Sequence, residues 1–414
     1  MQDLKRFQTL PAVLMLISNI ARAGSQWILV WFYALLGGTS IVGEYTLALA
    51  LATPIFIAFE MSLRNVFVTL HRPIPFATYL TVRLFAGLVA FSLLLALAGA
   101  VSVSFGVLVV IGLIKTADSL LDLSYGSLQK RAQITRIAWT SLLNSALSVS
   151  IGMSVYWLTR SIELSLIGSL IGSVSTAALV FAPVFRRERN DDARKVVTRA
   201  DLKGILRAGV PSGLAFASVS LLTYLPIYFL GFSSGLNQVG IFAVVAYFLI
   251  FANLFYSSVQ QTTLHSFVFH QKAGGNRSLL RYALRIGLSL LACGIVSGAL
   301  TVAYGAEFIT AVYGPDFYVS TRELLPIGVS MILLPAIHVS GAILLTKNQY
   351  GVQLVIGSVS LGLSAIVGVL SATNSSIETA GMLVLVGTSA RAVLGIAAAG
   401  IVLKRPATPV IEFK

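Results

Sequence analysis

The chain has 414 residues, of which 57% are hydrophobic and 11% charged, and its net charge is +14. Soluble domains carry roughly 25% charged residues, so this composition, with a mean hydropathy of +0.88, excludes a water-soluble protein of this size. The basic balance invites a nucleic-acid partner, but the charges collect in short segments between apolar runs, which excludes that partner too.

Apolar stretches long enough to cross about 30 Å of hydrocarbon as helices recur along the whole length. The chain therefore reads as an all-α polytopic membrane protein. Hydropathy and the punctuation by Gly, Pro and charge predict twelve transmembrane helices. Six fall at 12–36, 43–65, 78–100, 105–126, 137–158 and 165–185, and six at 205–231, 240–265, 281–303, 323–345, 351–371 and 380–402. They group into two six-helix lobes, an N-lobe over 1–185 and a C-lobe over 205–414, joined by a basic cytoplasmic linker over 186–204.

With the N-terminus inside, the cytoplasmic segments and helix ends hold all of the 29 Lys and Arg except Arg22, Lys115, Arg160, Arg322 and Arg391. The outer side holds Glu44, Glu163, Glu307, Asp316 and Glu378. This asymmetry is the positive-inside pattern, and it predicts cytoplasmic termini on both ends. Trp27, Trp31, Phe32 and Tyr33, with Tyr224, Tyr228 and Phe229, are expected in an outer aromatic belt.

Helix 1 carries the first anomaly, Arg22 within SNIARAGSQW. Signal-peptide cleavage after Ala23 would leave too little helix to span. Arg22 also lies about 18 Å from the inner end of its span at 1.5 Å per residue, too deep to snorkel. A structural ion pair and a place on a polar pathway stay open. An arginine at mid-bilayer costs at least about 2.5 kcal/mol on insertion scales and normally faces a polar cavity. Asn19, Arg22 and Gln26 stand at i−3, i and i+4, a polar stripe expected to face the space between the lobes.

Helix 2 offers Glu60 and Arg64 at i and i+4, most simply an ion pair near the cytoplasmic end. Helix 4 places Lys115, Asp118, Ser119 and Asp122 on one face, where Lys115 and Asp118 either satisfy each other or line the same chamber. Asn144 in helix 5 and Asn253, Gln260 and Gln261 in helix 8 either line that chamber or bridge helices. His265 and His338 read as packing residues, and Cys293 as a small core residue. Arg391, beside Thr388 and Ser389, stands about midway along helix 12. The deep cations outnumber the deep carboxylates, and spare guanidinium groups suit an anionic ligand because the planar fork binds phosphate bidentately. In the linker, Thr198-x-x-Asp201 resembles a capping box. No phosphate-loop, zinc or redox motif occurs in a plausible context, so no cofactor, metal or catalytic group is expected.

The halves repeat. Sliding the chain so that Val42-Gly43-Glu44-Tyr45 meets Val239-Gly240-Ile241-Phe242 also pairs Val13 with Val210, Phe32 with Phe229 and Gly38 with Gly235. A parallel repeat of this kind predicts a substrate path between two lobes.

Three stretches, IVGEYTLALALATPIFIAFEMSLRNVFV (41–68), LKGILRAGVPSGLA (202–215) and AVYGPDF (311–317), resemble the polysaccharide-transporter branch of the multidrug/oligosaccharidyl-lipid/polysaccharide (MOP) exporter superfamily. Within that branch the chain looks like the Wzx-type O-antigen flippases, over nearly its whole length. The resemblance implies a MATE/MOP-like flippase that moves undecaprenyl-pyrophosphate-linked oligosaccharide across the bacterial inner membrane by alternating access. It implies membrane lipids and the polysaccharide polymerase machinery as partners, and a cationic cavity for pyrophosphate and sugar acids. Arg22 matches the family's basic residue in helix 1, and Arg64 its helix-2 Leu-Arg motif. Lys115 and Arg391 match no family motif.

The expected substrate-binding set is Arg22, Asn19, Gln26, Arg64, Lys115 and Arg391. The expected coupling carboxylates are Asp118 first, then Asp122 and Glu60. A MATE-like drug/cation antiporter, which would want a carboxylate-rich chamber, and a non-transporting membrane component of polysaccharide assembly are the alternatives.

Overall fold

A computed structural model describes residues 2–69, 74–192, 198–347, 349–373 and 375–404; for some of these, including residues 2–16 and Asn19, only the backbone is described. Arg72, Arg405 and linker positions 193–197 lie outside the described residues. The described residues form helices and turns with no strand. The helices are α1 (Gln2–Glu60), α2 (Leu63–Thr69), α3 (Phe76–Ala96), α4 (Phe105–Lys130), α5 (Ile134–Thr159) and α6 (Ile162–Asp192). They continue as α7 (Arg199–Ser233), α8 (Leu236–Tyr313), α9 (Thr321–Thr346), α10 (Tyr350–Leu370) and α11 (Ile377–Lys404).

Two helices are too long to be single spans, and each is broken by glycine. α1 breaks at Gly38 (φ 77°) and α8 at Gly274–Gly275 (φ −144° and 61°). Only glycine enters the positive-φ region without a steric cost. These breaks fall between the expected spans 12–36 and 43–65, and between 240–265 and 281–303. Among the described residues nine helical segments are long and apolar enough to cross a membrane, the broken α1 and α8 counting once each. α4 is not one of them, because every 18-residue window in it contains Lys115, Asp118 and Asp122.

The chain divides into two compact units, Met1–Ser220 with Ser234–Gly240, and Leu221–Ser233 with Ile241–Lys414. In unit 1 an apolar core of Leu63, Phe67, Phe76, Tyr79, Leu121, Leu123, Val180 and Ile205 packs α2, α3, α4, α6 and the start of α7 together. Phe67 meets Phe76 and Tyr79 edge-on at 5.6 and 5.0 Å, the geometry that aromatic quadrupoles favour. Tyr33 does not join an outer belt. It is fully buried, packed edge-on against Tyr45 and Tyr156, and its hydroxyl pairs with Ser165 at 2.8 Å. Thr198 and Asp201 form the expected cap: the Asp201 amide donates to Thr198 Oγ1 (3.2 Å) and the Thr198 amide to Asp201 Oδ2 (2.9 Å).

In unit 2, Phe267, Leu279, Ala283, Ala342, Ile343 and Ala399 join α8, α9 and α11. Ser320 and Glu323 close a capping box on α9. Cys293 is exposed on α8 rather than buried in the core.

Candidate functional site

Unit 1 contains a polar cavity of about 150 Å³, walled by α1, α4, α5 and α6. From α1 come Arg22 and Gln26, one helical turn apart, and from α4 come Lys115, Asp118 and Asp122. The two polar stripes expected in helices 1 and 4 therefore share one cavity, whose lining residues all belong to unit 1. The side chain of Asn19 lies outside the described residues.

Asp118 stands beside the Asn144 side chain and sits in the field of Lys115 and Arg22. Lys115 and Asp118 do not form the mutual ion pair that their spacing allowed. Among the described residues neither Arg22 nor Lys115 makes an ion pair or a side-chain hydrogen bond. Two cations thus face a cavity with one carboxylate that is not already engaged.

The other carboxylate, Asp122, is fully engaged. Arg64 Nη1 donates to Asp122 Oδ1 at 3.2 Å, and Arg83 Nη2 to Asp122 Oδ2 at 2.9 Å. Arg64 also donates to Gln129 Oε1 at 3.0 Å and lies 5.8 Å from the Tyr125 ring centroid. Arg83 Nη1 donates to the carbonyl of Glu60 at 3.0 Å.

The expected Glu60–Arg64 pair is absent for a backbone reason. The helix stops at Glu60, and Met61 and Ser62 adopt left-handed conformations (φ 50° and 47°) before α2 begins at Leu63. The i, i+4 spacing then no longer places the two side chains on one face. Arg83 caps the carbonyl that this break frees. Gly213 lets α7 approach it, since a Cβ there would meet Ala58 O at 2.5 Å and Met61 Cα at 2.8 Å.

Arg83 was missed by sequence reading as one more basic residue near a helix end. The helical period contained the signal. Phe76, Tyr79, Arg83, Ala86, Ala90 and Leu94 form one buried stripe of α3, and Arg83, at 2% exposure, is its single charge. An arginine on a core-facing position demands a partner inside the fold.

A second feature, of which only Asn144 was anticipated, is a serine-rich wall on α5 and α6. Ser141, Asn144, Ser145 and Ser148 stand at i, i+3, i+4 and i+7 on α5, and Ser169 and Ser173 at i and i+4 on α6. Ser148 pairs with Ser173 at 3.0 Å, and Ser169 donates to the Ser148 carbonyl at 3.0 Å. Ser141 and Ser145 have no hydrogen-bond partner among the described residues, and Asn144 Oδ1 has none either.

Arg391 belongs to unit 2, where it shares the field of His338. His338 bridges helices as expected of a packing residue, with Nδ1 2.8 Å from Gln260 Oε1, Nε2 3.0 Å from Asn253 Oδ1, and its ring stacked on Tyr256. No cluster of His, Cys, Asp and Glu fit to hold a metal occurs among the described residues.

No protein-family model matches the chain. A capsular polysaccharide biosynthesis protein, CapF of Staphylococcus aureus, is 21% identical over 346 residues, covering 82% of this chain and 86% of that one. The lipid II flippase MurJ in an inward closed conformation superposes with a TM-score of 0.72 at 14% identity, over 96% of this chain and 88% of that one. A multidrug-resistance MATE transporter of the MOP superfamily, outward-facing, gives a TM-score of 0.65 at 14% identity over 95% of each chain. A MOP-superfamily transporter from Pyrococcus furiosus, described as having a binding pocket of reversed polarity, gives 0.65 at 14% identity over 96% of each. The chain thus has the helical membrane fold shared by MATE transporters of the MOP superfamily and by the MurJ flippase.

Proposed function

We propose that this chain is a flippase for undecaprenyl-pyrophosphate-linked oligosaccharide, the repeat unit of O-antigen or a related surface polysaccharide. It acts in the bacterial inner membrane, with both termini cytoplasmic, by alternating access of its two lobes. One observation carries this reading: a cavity with two unpaired cations from α1 and α4 and with serine and asparagine side chains from α5 and α6. Guanidinium and ammonium groups bind phosphate oxygens, and hydroxyl and amide groups match sugar hydroxyls as donors and acceptors. Arg22 and Lys115 hold the pyrophosphate, Gln26 and the α5 wall face the sugar, and Asp118 is the coupling carboxylate. Arg391 completes the substrate-binding set, and Arg64, bonded to Asp122 and Gln129, supports it from outside the cavity lining. Asp122 and Glu60 play a supporting part in coupling. The CapF relative, named for capsular polysaccharide biosynthesis, and the MurJ neighbour, named for lipid II, agree with a lipid-linked glycan as cargo.

A MATE-like drug/cation antiporter fits less well. An organic cation entering this cavity would meet Arg22 and Lys115 with only Asp118 to offset them. A non-transporting assembly component has no use for unpaired cations within apolar helices, which are costly to keep in a membrane.

The experiment is deletion of the gene followed by mass analysis of lipid-linked sugars, with complementation by wild type, Arg22→Lys and Arg22→Ala. Accumulation of a polyprenyl-linked repeat unit is expected. Wild type should clear it, Arg22→Lys should clear it partly, and Arg22→Ala should slow clearance at least tenfold. A deletion strain without any lipid-linked intermediate would sink the assignment.

A further inference from the structure

The half of α8 that follows the Gly274–Gly275 break carries a feature with no counterpart in the transport site. Arg277, Arg281 and Arg285 stand at i, i+4 and i+8 and are all exposed. At 1.5 Å per residue the stripe runs about 12 Å along the helix. Beside it, three residues on at each step, lies a parallel stripe of Leu280, Leu284 and Leu288, which are 42%, 56% and 66% exposed. The opposite face is buried through Leu279 and Ala283 against Ala342, Ile343 and Ala399. The helix is therefore anchored on one side and offers a paired track of arginine and leucine on the other.

Nothing described in the protein neutralises that track. Among the described residues none of the three guanidinium groups makes an ion pair or a side-chain hydrogen bond. The sequence contains no Asp or Glu between Asp201 and Glu307.

The fold does not require the charges either. The register that pairs Val42 with Val239 places Leu80, Leu84 and Leu88 of α3 opposite Arg277, Arg281 and Arg285. It also pairs Ala86 with Ala283, both buried. Leu84 and Leu88 are as exposed as their arginine counterparts, so α3 presents leucine to its surroundings where α8 presents arginine. An apolar helix face needs no arginine to meet hydrocarbon, and each one is costly there unless it finds an anion or reaches the interface.

We propose that the Arg277–Arg281–Arg285 track is a binding site for an anionic phospholipid of the bilayer. Its phosphate is held by neighbouring guanidinium groups, and an acyl chain lies along Leu280, Leu284 and Leu288. Charge complementarity selects the headgroup, since arginine forks bind phosphate oxygens bidentately. The leucine track selects a ligand with a hydrocarbon tail over a soluble anion. This site is separate from the cavity of unit 1 and does not depend on what that cavity carries.

The test uses the purified full chain in zwitterionic detergent micelles, titrated with phosphatidylglycerol or phosphatidylcholine and read by native mass spectrometry. Arg277→Gln/Arg281→Gln/Arg285→Gln is compared with wild type and with Arg322→Gln, a control at an exposed arginine. The triple variant should retain phosphatidylglycerol at least tenfold less, while phosphatidylcholine retention and the control stay at the wild-type level. Should the triple variant not fold, Arg281→Gln alone is expected to weaken retention about threefold. Phosphatidylglycerol retention unchanged by these substitutions overturns the proposal. So does loss of added farnesyl pyrophosphate with phosphatidylglycerol unaffected, which would make the track a stop for a prenyl pyrophosphate instead.

Discussion

Asp118 and Asp122 stand one turn apart on the same face of α4, yet they lie in opposite surroundings. Asp122 is clamped between two guanidinium groups, one of them on the fully packed face of α3. Asp118 has no cation within bonding distance and only the Asn144 side chain close beside it, although Arg22 and Lys115 stand in the same cavity. The first arrangement is what a fold uses to hold helices at a break. The second is what a binding site keeps open for a ligand. Helix position alone does not decide which role a buried carboxylate takes. The count of cations committed to it does.

The largest effect expected from this contrast lies in the clamp. Arg83→Ala leaves Asp122 with one partner and the Glu60 carbonyl uncapped. Removing one member of a buried pair costs about 3 kcal/mol or more, and the low end applies because Asp122 is 36% exposed. A fall in melting temperature, or failure to accumulate in the membrane, is the measurement. Arg22→Ala at the same time should leave the melting temperature unchanged and act on transport alone. A variant pair with those effects exchanged would reverse the assignment of clamp and cavity.

Asp118→Asn comes next. It keeps the size of the side chain, and no ion pair is broken. Melting temperature should shift by less than the equivalent of about 1 kcal/mol. Flipping measured in vesicles with and without an imposed proton gradient should lose its response to the gradient. A response retained in full would remove Asp118 from coupling.

Much of this architecture is written in short-range patterns. Apolar length marked an all-helical membrane fold, and the self-alignment paired Gly38 with Gly235, both of which stand at positive φ, 77° and 84°. The same alignment paired Gly43 with Gly240, and within unit 1 these two meet reciprocally. A Cβ on Gly43 would strike Leu236 O, and one on Gly240 would strike Thr39 O, each at 1.9 Å. Thr39 and Leu236 are themselves partners in that alignment, so the repeat extends to backbone contact.

The polar stripes of helices 1 and 4 were legible because a charge in an apolar helix is rare enough to stand out. The break at Met61–Ser62 was not, since neither residue is a usual left-handed one. With it went the Glu60–Arg64 pair and the role of Arg83. The serine wall of α5 escaped for the opposite reason: serine is common in membrane helices as a small packing residue, and only its shared cavity with Arg22 and Lys115 separates it from that background.

The smallest effect tests the boundary between the charged side of the cavity and this wall. Asn144 stands beside Asp118, and its Oδ1 is buried without a partner. Asn144→Ala therefore removes two opposed contributions. Losing the amide dipole beside the carboxylate costs about 1 kcal/mol, and losing an unsatisfied buried acceptor returns about 1 kcal/mol or more. The net change in stability should be close to zero, read as an unshifted melting temperature. Transport should still fall, by about threefold, because the amide no longer holds Asp118 against the serine face and no longer offers its carbonyl to a ligand hydroxyl. A large loss of stability in this variant would mean that Oδ1 finds an acceptor's role inside the fold, and the wall would then be packing rather than binding surface.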